Sequence, residues 1–174
     1  SGNVLHWALL RRHVKQVGII LDMVMMLKNT VPAFAKKYID LKMSNGDTAL
    51  HIACRLGMTN VAKWLCDNGC SIYPVHECAL VGNREVLLYI GERAVRNSTW
   101  FDSIHEALMT ATKHGHLEVV EACIDFGGDV CQKNLLCLAA QRGHLEIVHK
   151  LCVAGSDPNV VNDNNKMPIE CSDD

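Results

Sequence analysis

Residues 114–129 read HGHLEVVEACIDFGGD, and residues 135–159 read LLCLAAQRGHLEIVHKLCVAGSDPN. The two stretches share Gly-His-Leu-Glu, followed by two β-branched residues, at an offset of 28 positions. A third stretch joins them when glycines are aligned: Gly57 to Gly69, Gly115 to Gly127 and Gly143 to Gly155 each span 12 positions. Between those glycines, apolar residues recur four, five and eight places after the first. They are Val61, Ala62 and Leu65, then Val119, Val120 and Cys123, then Ile147, Val148 and Leu151. That spacing places them on one stripe of a helix.

Each leading glycine is preceded by a second apolar, alanine-containing segment: TALHIACRLG (48–57), EALMTATKHG (106–115) and LLCLAAQRG (135–143). The pattern predicts two short helices per unit. Small residues such as Ala53, Ala111, Ala139 and Ala140 permit close helix approach, and a glycine after the first helix can take the left-handed conformation that closes it. Neither helix can bury its stripe alone, so such units must stack and share a continuous core.

With that pattern on the page, NGDTALHIACRLG (45–57), HGHLEVVEACIDFGGD and LCLAAQRGHLEIVHKLCVAGSDPN resemble the ankyrin repeat, a unit of a β-turn finger and two antiparallel helices of about 33 residues. The resemblance implies an all-α solenoid of helix-turn-helix units joined by fingers, some of them shortened. It implies one domain over 1–174, with units near 1–42, 43–72, 73–94, 95–128 and 129–157 and a partial unit at 158–174.

The copies depart from uniformity at two places. NVLHWALLRRHVKQVGIILDM (3–23) reads as a capping first unit in which Arg12 stands at the glycine position, 45 residues before Gly57. The surplus falls near 28–42, where Pro32 interrupts a helical pattern and ILDMVMMLKN (20–29) is apolar enough to prolong the preceding helix. HECALVGNREVLLYIGER (76–93) reads as a degenerate third unit, because Gly82 lies 25 residues after Gly57. It is expected to be the weak joint of the array. GSDPNVVNDNNKMPIE (155–170) opens a further unit, and the chain is expected to be part of a longer protein.

At 174 residues with 49% hydrophobic and 21% charged side chains, the composition is that of a folded protein. Nine cysteines, an odd number embedded in apolar runs, fit a reducing, intracellular compartment, cytoplasmic or nuclear. No run of 18 apolar residues offers a membrane span. Residues 1–46 carry seven basic and two acidic side chains, whereas the remainder carries ten and seventeen. The acidic remainder argues against a continuous nucleic-acid track, so the basic segment Arg11-Arg12-His13-x-Lys15 with Lys36-Lys37 suits an acidic partner better.

The resemblance also implies where partners dock: finger tips and first helices on a concave face. The matching positions are Ser44, Asn45, Asp47, Arg55 and Leu56; Asp102, Ser103, His105, Lys113 and His114; and Lys133, Gln141 and Arg142. Trp100 and Phe101 are expected in the finger before the fourth unit, as adjacent aromatics either anchoring a partner or packing on a neighbouring finger. Asn159, eight residues after Leu151, matches turn asparagines that an oxygenase hydroxylates in some members. His51, His116 and His144 are expected to make structural hydrogen bonds near the turns.

The set His51, Cys54, Cys66, Cys70, His76 and Cys78 superficially offers zinc ligands. Cysteine as a small core hydrophobe explains these positions, and no metal, cofactor or catalytic pair is expected. The sequence therefore points to a non-catalytic module that binds a protein or a linear peptide. The alternative is the sensory or substrate-recruiting part of a larger enzyme, channel or effector, with nucleotide or RNA binding by the basic N-terminal end a distant third.

Overall fold

The computed structural model describes residues 2–70, 73–94, 98–132 and 134–171. Its described residues are helical, with no strand. The helices are α1 (Val4–Leu10), α2 (Val14–Thr30), α3 (Pro32–Ile39), α4 (Ala49–Arg55), α5 (Thr59–Asp67) and α6 (Val75–Val81), followed by α7 (Arg84–Arg93), α8 (Ser98–His114), α9 (Leu117–Asp125), α10 (Leu135–Gln141), α11 (Leu145–Val153) and α12 (Pro168–Cys171). Internal packing divides the chain into two compact units, Ser1–Glu77 and Cys78–Asp174, and the division falls inside α6, in the degenerate third copy.

One turn recurs through both units. The residue after the turn donates its backbone N–H to the carbonyl five residues back: His13 to Ala8, Met58 to Ala53, Asn83 to Cys78, His116 to Ala111 and His144 to Ala139, at 2.9–3.0 Å. This bond satisfies a carbonyl that the end of the first helix would otherwise orphan. It requires a left-handed residue at the turn, and Gly57, Gly82, Gly115 and Gly143 supply it with φ between 68° and 77°. Arg12 takes the same place with φ 53°.

At two turns glycine is needed for room as well. A Cβ on Gly82 would lie 2.7 Å from Nδ1 of His116, and one on Gly115 would lie 2.7 Å from Cε1 of His144. Each histidine of a Gly-His pair thus rests on the turn of the preceding copy, and His116 also brings Nε2 to 3.2 Å from the carbonyl of Leu80. His51 does a different job. With Thr48 it forms a capping box at the start of α4, and Asn3 with His6 does the same for α1.

The predicted stripes face inward. Ala62, Leu65, Val119, Val120, Cys123, Ile147 and Leu151 are buried, while Val61 and Val148 are half-buried. Ala53, Ala111 and Ala139 are fully buried between helices.

The surplus of residues 28–42 takes the form of two helical additions. α2 runs 17 residues, against nine for α5, α9 and α11. Pro32 then begins α3 at its first position, where the missing N–H costs nothing. The residue before it, Val31, leaves the helical region at φ −137° and ψ 75° and breaks α2 from α3. Asn3 ties this insertion to the array by donating its side-chain amide to the carbonyl of Tyr38, and Lys28 reaches Oδ1 of Asn68 at 3.0 Å.

One expectation is corrected here. Trp100 and Phe101 do not sit in a finger: α8 spans Ser98–His114 and takes in Asp102 and Ser103 as well. No glycine or proline interrupts residues 98–114, so nothing stops the helix. Trp100, Ile104, Ala107, Leu108 and Ala111 fall on one stripe and are buried.

Leu65→Ala and Leu151→Ala should each cost about 2–5 kcal/mol in urea unfolding of the full chain, because both side chains are fully buried. Costs below about 1 kcal/mol at both positions would contradict the register. Arg12→Gly should stabilise by about 0.5–1 kcal/mol, the relief of left-handed strain exceeding the entropy that glycine adds to the unfolded chain. A loss of stability on that substitution would show that the Arg12 side chain matters more than its backbone.

Candidate functional site

In the unit Ser1–Glu77 the candidate positions lie on the finger before α4 and at its end. The finger is a tight hairpin turn: Met43 donates to the carbonyl of Asp47 at 2.8 Å, and Gly46 takes φ 89°. The same turn recurs at 162–166, where Asn162 donates to Lys166 and Asn165 takes φ 59°. Asn45 is exposed, yet its side chain donates to Asp47 at 2.8 Å and accepts the Asp47 N–H.

Asp47 itself is buried and receives a two-pronged grip from Arg55, Nη1 to Oδ2 at 2.9 Å and Nη2 to Oδ1 at 3.0 Å. Arg55 also approaches Glu77 at 3.6 Å. Hydrogen bonding from Arg55 holds the Asp47 carboxyl below the usual carboxylate range, against the opposing effect of burial. This network pins the finger to α4. Asp47 and Arg55 are therefore structural as well as surface residues, and Leu56 is half-buried beside them.

In the unit Cys78–Asp174 the aromatic pair separates. Trp100 is 5% exposed and meets Phe126 edge-on at 5.9 Å, whereas Phe101 is 41% exposed and lies over Gly127. Asp102 is exposed; Ser103 is half-buried and donates Oγ back to the Thr99 carbonyl at 2.8 Å. His105 is half-buried. Lys113 and His114 at the end of α8, and Gln141 and Arg142 at the end of α10, are exposed in the same register. Lys133 lies outside the described residues. Asn159 is exposed, and its backbone N–H donates to Asp157 Oδ1 at 2.9 Å.

The signal that places Trp100 was present in the sequence: 100, 104, 107, 108 and 111 follow helical spacing. The finger-to-finger contacts carried no such signal. Asn134 and Asp163 pair reciprocally, at 2.6 and 3.2 Å, and Ser156 donates Oγ to the Val130 carbonyl.

Cys54, Cys66, Cys70 and Cys78 are buried, and among the described residues no group of three or more His, Cys, Asp or Glu is placed to hold a metal ion. Burial pushes the Cys123 thiol up to about 12 and that of Cys137 up to about 11, the latter helped by a hydrogen bond with Cys171. The Cys70 thiol is raised by its hydrogen bond with Cys66 and by burial. These sulfurs remain protonated and pack as small apolar groups. No helix among the described residues is long and apolar enough to cross a membrane.

Burial lowers the pKa of both capping histidines, His6 and His51, although the carbonyl of Leu41 raises the first and Glu77 raises the second. Each therefore binds a proton less readily folded than unfolded. The stability that this contributes is complete above the ordinary value of 6.5 and is lost as pH falls from there through the lowered folded value. Asp47 adds a second window, with stability present above 3.8 and lost as pH falls below it. Thermal melts of the full chain should show a Tm that declines from neutral pH toward about pH 5, with His51→Gln blunting the decline. A Tm flat through that interval would contradict the burial of the two histidines.

Comparison with known proteins agrees with this architecture. The family model described as ankyrin repeats (3 copies) matches residues 1–77 and 75–162. The chain is 28% identical over 158 residues to the ankyrin repeat and KH domain-containing protein mask-1 of Caenorhabditis elegans; the match covers 82% of this chain and 6% of that protein. The chain thus spans a small part of that relative's length. The crystal structure of EF0377, an ankyrin repeat protein, superposes with a TM-score of 0.74 at 20% identity, covering 99% of this chain and 91% of that one. The recurring turn, the two helices that flank it and these matches together establish that the chain belongs to the ankyrin repeat family.

Proposed function

We propose that the chain is a non-catalytic module that holds a protein or an extended peptide along its finger tips and the ends of its first helices. The observation that carries this reading is a contrast within one register. Ala53, Ala111 and Ala139 are uniformly small and buried. Two and one places before the turns at Gly57, Gly115 and Gly143 the residues are Arg55 and Leu56, Lys113 and His114, and Gln141 and Arg142, which differ from copy to copy. A constant scaffold with a varied outer row suits recognition by surface complementarity over several copies. Phe101 and Asp102 are exposed at the other end of α8, whereas Trp100 is buried in the core.

A second reading is favoured by the comparison of lengths. A relative far longer than this chain, named for a KH domain as well as for its repeats, suits an array that serves as the recruiting part of a larger protein.

The test is affinity capture with the full chain, followed by calorimetric titration of what is captured. The combined variant Lys113→Glu, His114→Ala, Gln141→Ala, Arg142→Glu should lose about tenfold or more in affinity, the effect of one or two lost hot spots, with its melting curve unchanged. Undiminished binding by a folded variant would place recognition elsewhere.

A further inference from the structure

A fourth turn belongs to the varied outer row, and it differs from the others in kind. Two and one places before Gly82 stand Leu80 and Val81, the last residues of α6. Both are aliphatic, and they are 38% and 39% exposed. The inner side of this helix end is supplied by Cys78 and Ala79, which are fully buried.

The ends of α6, α8 and α10 stand side by side within the unit Cys78–Asp174. His116, just past the turn that closes α8, brings Nε2 to 3.2 Å from the carbonyl of Leu80, and its ring lies over Gly82. His144, just past the turn that closes α10, lies in the same way over Gly115. α8 also packs against α10. Along this line the row reads Leu80 and Val81, then Lys113 and His114, then Gln141 and Arg142. An apolar step is followed by two that each carry a cation.

Those cations are uncommitted. Among the described residues neither Lys113 nor Arg142 takes part in an ion pair, whereas Arg55, at the matching place in the unit Ser1–Glu77, is held by Asp47. The acidic side chains of these copies stand off the row. Asp102 and Glu106 lie two turns or more nearer the start of α8, and Glu85, Glu118 and Glu146 belong to the second helices beyond the turns. His116 stacks on His114, with ring centroids 6.2 Å apart and planes at 19°, and so steadies the middle step.

Packed helices lie about 8–10 Å apart and an extended chain advances about 3.3 Å per residue, so one step of the row matches about three residues of an extended peptide. On the reading that this row binds a peptide, we propose that its ligand is an extended acidic segment with one large apolar anchor. The anchor seats on Leu80 and Val81, and carboxylates about three and about six residues from it face Lys113 and Arg142. The aliphatic pair sets the register, because covering it removes apolar surface from water. The cations set the direction, because a reversed peptide would bring its carboxylates against Leu80 and Val81.

The test titrates the full chain, labelled with 15N, with three synthetic peptides of glycine and serine carrying a few other residues. The first has a leucine followed by aspartates three and six places on. The second has lysine for aspartate, and the third has the first peptide's composition with both aspartates next to the leucine. The first should shift the backbone amides of Val81, His114 and Arg142 with half-saturation below about 1 mM, and its binding should weaken several-fold as salt rises from about 0.05 to 0.5 M. The lysine peptide should give no shifts, and the third should bind several-fold more weakly than the first. Lys113→Glu with Arg142→Glu should melt as the parent does, because both side chains are exposed, and should reverse the preference in favour of the lysine peptide. Leu80→Ser with Val81→Ser should lose several-fold in affinity for the first peptide and keep the salt dependence.

Absence of shifts with the first peptide would overturn the proposal, as would equal shifts from the aspartate and lysine peptides, equal binding of the third, or an unchanged preference in the folded charge-reversed variant. The reading on which it rests fails by a separate sign: a captured partner that binds the fourfold row variant as tightly as it binds the parent.

Discussion

One turn governs this molecule. Each of the first helices α1, α4, α6, α8 and α10 ends by returning an N–H to the carbonyl five residues back, and each time the turn residue is left-handed. That geometry fixes the angle at which the second helix leaves the first, and so decides which of its residues face inward. The stripe on the second helix is useful only once the turn has aimed it. The histidines that rest on Gly82 and Gly115 use the same geometry to seat one copy on the next. Glycine there meets a backbone requirement and a spatial one together, and Arg12 meets only the first.

The departures from regularity follow from the same logic. With no glycine or proline between 98 and 114, α8 runs on through the segment expected to be a finger, and α2 runs through Gly18 to nearly twice the length of its counterparts. Pro32 ends that continuation without ending helicity, since proline is compatible with the first turn of a new helix. The insertion is thus a prolonged helix and a short added one.

Polar residues divide by what they hold. Asp47, gripped by Arg55 and braced by Asn45, spends its charge inside the protein and fastens a finger to its helix. Asn134 and Asp163 fasten two fingers to each other. Lys113, His114, Gln141 and Arg142 stand at the ends of helices whose inner faces are already buried, so their side chains face solvent. A finger residue is therefore not automatically a binding residue: the charge of Asp47 is neutralised by its neighbour, whereas that of Arg142 is presented to solvent.

The amino-acid sequence alone determined the periodic features: the two-helix copy, the left-handed turn, the inward stripe and cysteines that behave as core residues. Each depends on neighbours a few positions apart in the chain, so spacing suffices to reveal it. The same spacing places Trp100 beside Ile104 and Ala107, although an adjacent aromatic pair reads just as readily as a protruding turn. Only the tertiary structure decided between these, because burial of Trp100 depends on Phe126, 26 residues away. It alone showed that Asp47 and Arg55 are partners and that Asn134 reaches Asp163. Neither pairing follows from spacing, because each depends on how a finger folds back onto its helix or against the next finger.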